Sequence, residues 1–198
     1  MGVEVKTSNR ITICGMTGTG KTVFAKSLMM TMSSETNPVG VLDPLDQFAD
    51  IEEEGVLERV VPPPNQEGAM FDAMADRAMK RGNMSLFGEE AEMYVPERGK
   101  VGDPAMRAIL RGRNRGVGIT LITRRIAMLS KNFFSLSDHV FIFRHFSPND
   151  ISYLADFVGP ETARRFMDLP DYYFAHFANG KTDFLKPIKI PTVPSARS

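Results

Sequence analysis

Short runs of apolar residues alternate along the chain with longer stretches in which apolar residues recur every three or four positions. The short runs are typical of buried parallel strands, and the longer stretches are typical of amphipathic helices. This alternation predicts an α/β fold in which a mostly parallel sheet is flanked by helices on both faces. The runs that we interpret as strands are "RITICG", "PVGVLD", "LERVVPP", "NMSLFGE", "VGITLIT" and "HVFIFRH".

Helices are predicted between these strands. The first is "GKTVFAKSLMMTMSS", and the second, "EGAMFDAMADRAMKRG", carries Met70, Phe71, Met74 and Met79 at near-helical spacing. Asp103-Pro104 predicts a helix start, with Asp103 as the N-cap acceptor, and this helix is expected to stop at Gly116. Two short helices, "SPNDISYLADFVG" and "PETARRFMDL", follow the last parallel strand.

The C-terminal part of the chain predicts a β-hairpin. Two alternating segments are joined by Asn179-Gly180, a dipeptide that favours the tight turns of hairpins. The last residues, "PTVPSARS" at 191–198, are predicted to form a disordered tail. With 198 residues, 42% of them hydrophobic, the chain suits a single domain over residues 1–190.

The charge balance argues against a protein that coats nucleic acid through a positive field over its whole surface. The 24 Lys and Arg residues balance 24 Asp and Glu residues, so no global positive field is expected, and any basic surface must be local. The only cysteine, Cys14, ends an apolar run, where a thiol usually behaves as a small buried hydrophobe. No signal peptide and no apolar run of membrane-spanning length is found, so we expect a cytoplasmic protein.

A glycine-rich loop stands between the first strand and the first helix. Gly15, Gly20, Lys21 and Thr22 match the pattern G-x-x-x-x-G-K-[ST] in the strand-loop-helix context that this motif requires. Such a loop points backbone N–H groups at phosphates, its lysine reaches the β- and γ-phosphates, and its threonine hydroxyl binds Mg²⁺. We therefore predict that ATP and Mg²⁺ are the ligands. The predicted binding residues are Gly15, Met16, Thr17, Gly18, Thr19, Gly20, Lys21, Thr22 and Val23.

Two adjacent carboxylates follow the strand "NMSLFG". Glu89 is predicted to hold or orient the metal, together with Thr22, and Glu90 is predicted to be the general base for the attacking water. The alternative for this pair is an acidic helix start or a solvated loop. Asp43, which ends "VGVLD", is a lesser candidate for the same region, and its alternative is a turn residue in Asp43-Pro44.

Arginines cluster in one part of the chain. Between Arg98 and Lys131 there are nine basic residues and one acidic residue. Because the carboxyl ends of parallel strands form the ligand crevice, Arg124 is expected to act as a sensor near the γ-phosphate. Arg115, Arg113 and Arg111, in that order, are candidates for a finger inserted into a neighbouring subunit's site. Alternatively, they complement a helix dipole or bind nucleic-acid phosphates.

The order of these motifs resembles the FtsK–HerA superfamily of ring-forming, DNA-pumping ATPases. The resemblance rests on the glycine loop, "VLDP", "GEEAEMYVP", "RGRNRGVGITLITRRI" and "HVFIFRHFSPNDISYLADFVG", and covers about residues 9–180. Within the superfamily, the chain looks most like the genome-packaging ATPases of tailless viruses with an internal membrane. The resemblance implies a P-loop NTPase fold of the RecA/ASCE type.

The resemblance also implies roles for individual residues. It makes Lys21 and Thr22 the nucleotide and Mg²⁺ ligands, Glu90 the catalytic carboxylate and Arg115 the finger that acts in trans. Two positions depart from the family pattern. Glu89 replaces the usual Asp, and Arg124 follows Thr123 where the family has Gln.

The leading functional hypothesis is an ATP-driven translocase of double-stranded DNA. It would be a viral genome-packaging motor, a homo-oligomeric ring of six or five subunits that docks on a capsid vertex or a membrane protein. The alternatives are a HerA-like cellular DNA translocase, a small-molecule kinase with Arg124 and Arg125 as lid arginines, and a membrane-associated morphogenesis ATPase resembling zonula occludens toxin. A guanine-specific switch is disfavoured because the chain has no Asn-Lys-x-Asp segment.

Overall fold

An eight-stranded sheet forms the centre of the computed structural model, which describes residues 3–53 and 56–188. The predicted tail at 191–198 lies outside the described residues. The strands are β1 (Arg10–Cys14), β2 (Val39–Leu42), β3 (Leu57–Val60), β4 (Met84–Gly88), β5 (Val117–Thr123), β6 (His139–Ile142), β7 (Phe174–Ala178) and β8 (Lys181–Leu185). The helices are α1 (Lys21–Met32), α2 (Glu67–Arg81), α3 (Asp103–Arg111), α4 (Lys131–Leu136), α5 (Pro148–Val158) and α6 (Pro160–Arg165).

The strand order is β3-β2-β4-β5-β1-β6-β7-β8. Strands β1 to β6 are parallel, whereas β7 and β8 are antiparallel and form the hairpin at one edge. In the register, Ile13 of β1 lies between Ile122 of β5 and Phe141 of β6. The predicted α/β class, with a mostly parallel sheet and a C-terminal hairpin, is confirmed.

Hydrophobic cores cover both faces of the sheet, which explains why β2, β4 and β5 are buried along their whole length. The core beneath α1 includes Ile13, Phe24, Met29, Phe141 and Phe174. The core beneath α2, α3 and α5 includes Phe71, Leu86, Ile119, Ile142 and Leu154. Cys14, the next residue after Ile13, points to the second core, and burial raises the pKa of its thiol. This placement leaves the ends of the strands free to build a site.

The start of α3 differs from the predicted one. Asp103 lies inside the helix, and Gly102 is the N-cap residue, without a side-chain cap. The carboxylate of Asp72 in α2 instead accepts the N–H of Ala105 at 3.0 Å. The prediction of an Asp103 cap was wrong because a carboxylate from a packed neighbouring helix takes that place.

Two further details could not be read from periodicity. The α-helix ends at Arg111, and a 3₁₀ turn, Gly112–Arg115, leads to Gly116 in the left-handed region, so the predicted stop at Gly116 belongs to this turn. Helix α4 was not predicted, because its six residues are too few to show a helical repeat and, unlike α6, it has no proline at its start. Among the described residues, no helix is long and apolar enough to cross a membrane.

Candidate nucleotide-binding site

The glycine loop connects β1 to α1 and is packed so closely that side chains would not fit at two of its positions. Gly15 has φ 152°, and a Cβ there would lie 2.5 Å from the Cβ of Phe143. Gly20 has φ 110°, and a Cβ there would lie 2.9 Å from the ring of Tyr172. Positive φ and close approach both require glycine. The backbone conformation of the loop therefore requires the two glycines of the sequence motif, Gly15 and Gly20.

Backbone hydrogen bonds fix this loop to its surroundings. The N–H of Met16 donates to the carbonyl of Arg144 at 2.9 Å, and that of Gly15 to Thr123 at 3.3 Å. The Thr19 carbonyl accepts from the N–H of Tyr172 at 2.9 Å. The loop is thus held by the last residue of β5, by the segment that follows β6 and by the segment that precedes β7. Such anchoring preorganises the loop for a ligand.

Lys21 is buried at the start of α1. Its Nζ donates to the carbonyl of Met16 in the glycine loop at 2.8 Å. Burial is the main cause that lowers the pKa of Lys21, to about 8, and the charge of Arg124 lowers it further. An anionic phosphate in the cleft would raise this pKa again, because a nearby opposite charge favours the charged form.

Glu89 and Glu90 leave the end of β4 next to the glycine loop. Both side chains are buried, and both line the cleft with Lys21 and Thr22. Burial, followed by the neighbouring carboxylates of Asp43 and Glu90, raises the pKa of Glu89 to about 7. One oxygen of Glu89, Oε2, is buried without a hydrogen-bond partner among the described residues.

The residues present fit a hard cation such as Mg²⁺. A buried, unpartnered carboxylate oxygen of Glu89 and the Thr22 hydroxyl are oxygen ligands of the kind that Mg²⁺ prefers. The Thr22 hydroxyl donates to Gln47 Oε1 at 3.0 Å. The described part of the chain has no group of three or more metal-binding side chains, so phosphate oxygens and water would have to complete the shell, as is usual for Mg²⁺.

Glu90 is ion-paired with Arg124. The guanidinium Nη2 of Arg124, the residue after β5, donates to Glu90 Oε2 at 2.5 Å. Glu90 itself adopts the left-handed conformation, with φ 52°, which turns the chain sharply after the strand. The structure therefore places Arg124 in the cleft, where the sequence predicted it, and adds a direct contact with the predicted general base.

Asp43 has a different position from the other two carboxylates. It is fully buried at the end of β2, where it accepts the backbone N–H groups of Gln47 at 2.9 Å and Phe48 at 3.0 Å. Arg59 lies 3.5 Å from the same carboxylate. Of the two sequence interpretations, the turn residue is the one that the contacts support. Through this turn, Asp43 positions Gln47 beside Thr22.

The three finger candidates lie at the opposite end of the parallel strands from the cleft. Arg111, Arg113 and Arg115 are exposed and precede β5, whereas the glycine loop, Glu89 and Arg124 follow their strands. Arg113 is tied to Asp138 at 3.0 Å. Strand β5 has seven residues and so spans about 20 Å, more than an arginine side chain can reach. None of the three arginines therefore reaches the cleft of its own chain.

No known protein-family model matches this sequence, and no curated protein matches it. Solved structures do match. The genome packaging NTPase B204 from Sulfolobus turreted icosahedral virus 2, in complex with ATP-gammaS, has 17% identity and a TM-score of 0.81 over 93% of this chain and 100% of that one. In complex with AMPPCP, the same protein has 18% identity and a TM-score of 0.79 over the same shares of the two chains. The chain has a P-loop NTPase fold.

A second P-loop structure shares this architecture. The conjugation coupling protein TcpA of pCW3 is 13% identical, with a TM-score of 0.64 over 90% of this chain and 60% of that one. At these identities the likeness is one of fold. The P-loop NTPase fold that the resemblance implied is confirmed. The roles of individual residues in this P-loop NTPase fold remain predictions.

Several residues of the cleft were missed by the sequence analysis. Leu45, Gln47, Ile122, Thr123 and Tyr172 also line it. Glu92, a half-buried carboxylate beside the cleft lining, accepts the backbone N–H of Arg124 at 3.4 Å. The motif "GEEAE" contained a signal for Glu92, a third acidic residue. Tyr172 carries no such signal, because 150 residues separate it from the glycine-loop threonine Thr22.

Proposed function

We propose that this chain is an ATP-driven translocase of double-stranded DNA that packages a viral genome into a preformed capsid. It works as a homo-oligomeric ring in which each nucleotide site lies at an interface between subunits. The P-loop NTPase fold, the fit of the cleft to ATP and Mg²⁺, and the fold shared with a viral packaging NTPase support this proposal.

The position of the three arginines is the observation that supports the proposed ring. Arg111, Arg113 and Arg115 are exposed at the end of the sheet where the parallel strands begin. The cleft lies at the other end, where the parallel strands stop. A head-to-tail contact brings the arginine end of one subunit against the cleft of its neighbour, and repeated contacts of this kind form a ring when the rotation between subunits closes. Arg115 adds a positive charge to the nucleotide site of the neighbouring subunit. Among the described residues, its side chain has no ion-pair partner, unlike that of Arg113.

In the proposed mechanism, backbone N–H groups of the glycine loop and Lys21 hold the β- and γ-phosphates of ATP. Thr22 and Glu89 would hold Mg²⁺, which when bound neutralises charge on the phosphates. Glu90 accepts a proton from the water that attacks the γ-phosphate, and ADP leaves with its β-phosphate oxygen as the leaving group.

The ion pair between Glu90 and Arg124 gives this mechanism a control point. While the guanidinium holds Glu90, at 2.5 Å, the carboxylate is engaged and is a poor base for water. The γ-phosphate competes for the same guanidinium, which frees Glu90 when ATP is in place. Arg124 thereby serves as the γ-phosphate sensor that the sequence predicted.

DNA-dependent hydrolysis tests the proposal. The purified chain should hydrolyse ATP faster with double-stranded DNA of any sequence, and the stimulation should fall steeply as salt rises, because phosphate contacts release counterions. Lys21→Ala is the control that should abolish turnover with and without DNA. Turnover that is unaffected by DNA at low salt, with no DNA bound, would contradict the proposal.

A HerA-like cellular translocase is the second candidate, favoured by the shared fold with a conjugation coupling protein. It predicts the same motor activity without a capsid. The chain should co-purify with virus particles or empty capsids if it packages a genome, and should be absent from them if it moves cellular or plasmid DNA.

A further inference from the structure

Tyr172 is a half-exposed aromatic residue at the rim of the nucleotide cleft. It lines the cleft, and its ring lies against Gly20, where an added Cβ would be only 2.9 Å from Cδ1. An aromatic ring that is 51% exposed loses part of the benefit of burial, so its position suggests a partner that the free chain lacks. None of the roles assigned above to the cleft residues uses this ring.

The turn that carries Tyr172 is rigidly held. The residue has φ 68°, a conformation that is rare for bulky side chains, and its N–H donates to the Thr19 carbonyl at 2.9 Å. The Arg144 guanidinium binds the same turn twice, at the Leu169 carbonyl (3.2 Å) and at the Asp171 carboxylate (2.5 Å). The backbone that carries the ring is thus held against the glycine loop before any ligand binds.

The sheet order decides which part of a nucleotide meets this ring. Glu89 and Arg124 follow β4 and β5, which lie on one side of β1. Tyr172 precedes β7, which lies on the other side of β1, beyond β6. A triphosphate that lies along the loop with its γ-phosphate toward Glu89 and Arg124 must extend its nucleoside in the opposite direction, toward Tyr172.

We propose that the ring of Tyr172 is the stacking platform for the nucleobase. This inference rests on the proposed function to the extent that the cleft binds a nucleoside triphosphate. Stacking on an aromatic face tolerates different bases, because every base has a π-face. The platform therefore contributes equally to the binding of ATP and GTP, and contributes nothing to a triphosphate that has no nucleoside.

Titration calorimetry with three ligands, each with Mg²⁺, tests the platform: ATP, GTP and inorganic tripolyphosphate. Tyr172→Ala should weaken the binding of ATP and of GTP by about tenfold each, the usual scale of one base stacked on an aromatic side chain. Tripolyphosphate should bind the variant as it binds the wild type. Tyr172→Phe, which keeps the ring, should restore both nucleotide affinities.

Met128→Ala is the control, because Met128 is a large apolar residue that is 50% exposed and does not line the cleft. It should leave all three affinities unchanged. An unchanged ATP affinity in Tyr172→Ala overturns the inference, and so does an equal loss for ATP and tripolyphosphate, which would make Tyr172 a support for the loop. A wild-type chain that binds ATP through Tyr172 but never responds to DNA would contradict the proposed translocase and leave the platform standing.

Discussion

At the scale of single residues, His145 is a buried imidazole without hydrogen bonds. Its side chain is 1% exposed, and neither ring nitrogen has a partner among the described residues. Burial, opposed in part by the charge of Asp150, lowers the pKa of His145 to about 4 from the usual 6.5. The fold therefore prefers the neutral ring, and protonation works against the folded state.

The linkage gives a pH prediction. Because the folded pKa lies below the unfolded one, the stability that comes from a neutral His145 is complete above pH 6.5 and is lost as pH falls toward 4. His145→Phe keeps the ring and removes the titration. The wild type should lose up to about 3 kcal/mol more than this variant between those two pH values.

Urea unfolding at a series of pH values measures this difference. His139→Phe is the control, because the His139 ring is only partly buried and burial lowers its pKa less markedly. Identical pH dependence in the wild type and in His145→Phe would show that His145 is solvated in the folded chain.

At the scale of elements, the end of β4 depends on a glycine. A Cβ on Gly88 would lie 2.1 Å from the Tyr94 hydroxyl, which donates to the carbonyl of Glu89 at 3.1 Å. Gly88→Ala must displace Tyr94 and move the two carboxylates that follow. We expect a loss of about 1–3 kcal/mol in the free energy of unfolding, together with a fall in ATP turnover.

Gly68→Ala tests the specificity of that effect. Gly68 lies in the first turn of α2, and a Cβ there would meet Tyr94 at an ordinary 3.6 Å. Its unfolding free energy should be unchanged or higher by less than about 1 kcal/mol, because alanine restricts the unfolded chain. If both variants behave alike in denaturant unfolding and turnover, the tight packing at Gly88 does not position the site.

The elements also show what a sequence can predict. The parallel strands, α1, α2 and the hairpin at Asn179-Gly180 follow from local patterns, and the structure has all of them. The cap of α3 could not be predicted from a local pattern, because its acceptor, Asp72, belongs to another helix. The same holds for the contact between Glu90 and Arg124, which are 34 residues apart and meet only because β4 and β5 pair. The local motif indicated a nucleotide ligand, whereas the order of the strands determines which side chains meet around the site.

At the scale of the whole molecule, the separation of the arginines from the cleft predicts complementation between subunits. In the proposed ring, Arg115→Ala removes the proposed finger and Glu90→Gln removes the proposed base, so rings of either variant should be nearly inactive. In mixed rings, some interfaces pair an intact Glu90 with an intact Arg115 from the neighbour. Equal mixing before assembly should restore about a quarter of the interfaces, since both neighbours are drawn at random.

ATP turnover over a range of mixing ratios measures this rescue, which should be greatest near equal amounts. Mixtures of Arg107→Ala with Glu90→Gln are the control. Arg107 is basic and lies in α3, outside the predicted finger, so these mixtures should lose activity only in proportion to the Glu90→Gln subunits. A lack of rescue at every ratio would leave Arg115 with a structural or DNA-binding role.

The buried thiol of Cys14 has a practical consequence for studying such an assembly. It is the only cysteine in the chain, it is enclosed by the core at the end of β1, and burial holds its pKa above the usual range, so it stays protonated and covered. The folded protein should therefore not react with thiol-directed dyes. A single cysteine introduced on an exposed helix, as in Glu161→Cys, becomes the sole labelling site, and fluorescence can follow subunits as they exchange, without removal of any native residue.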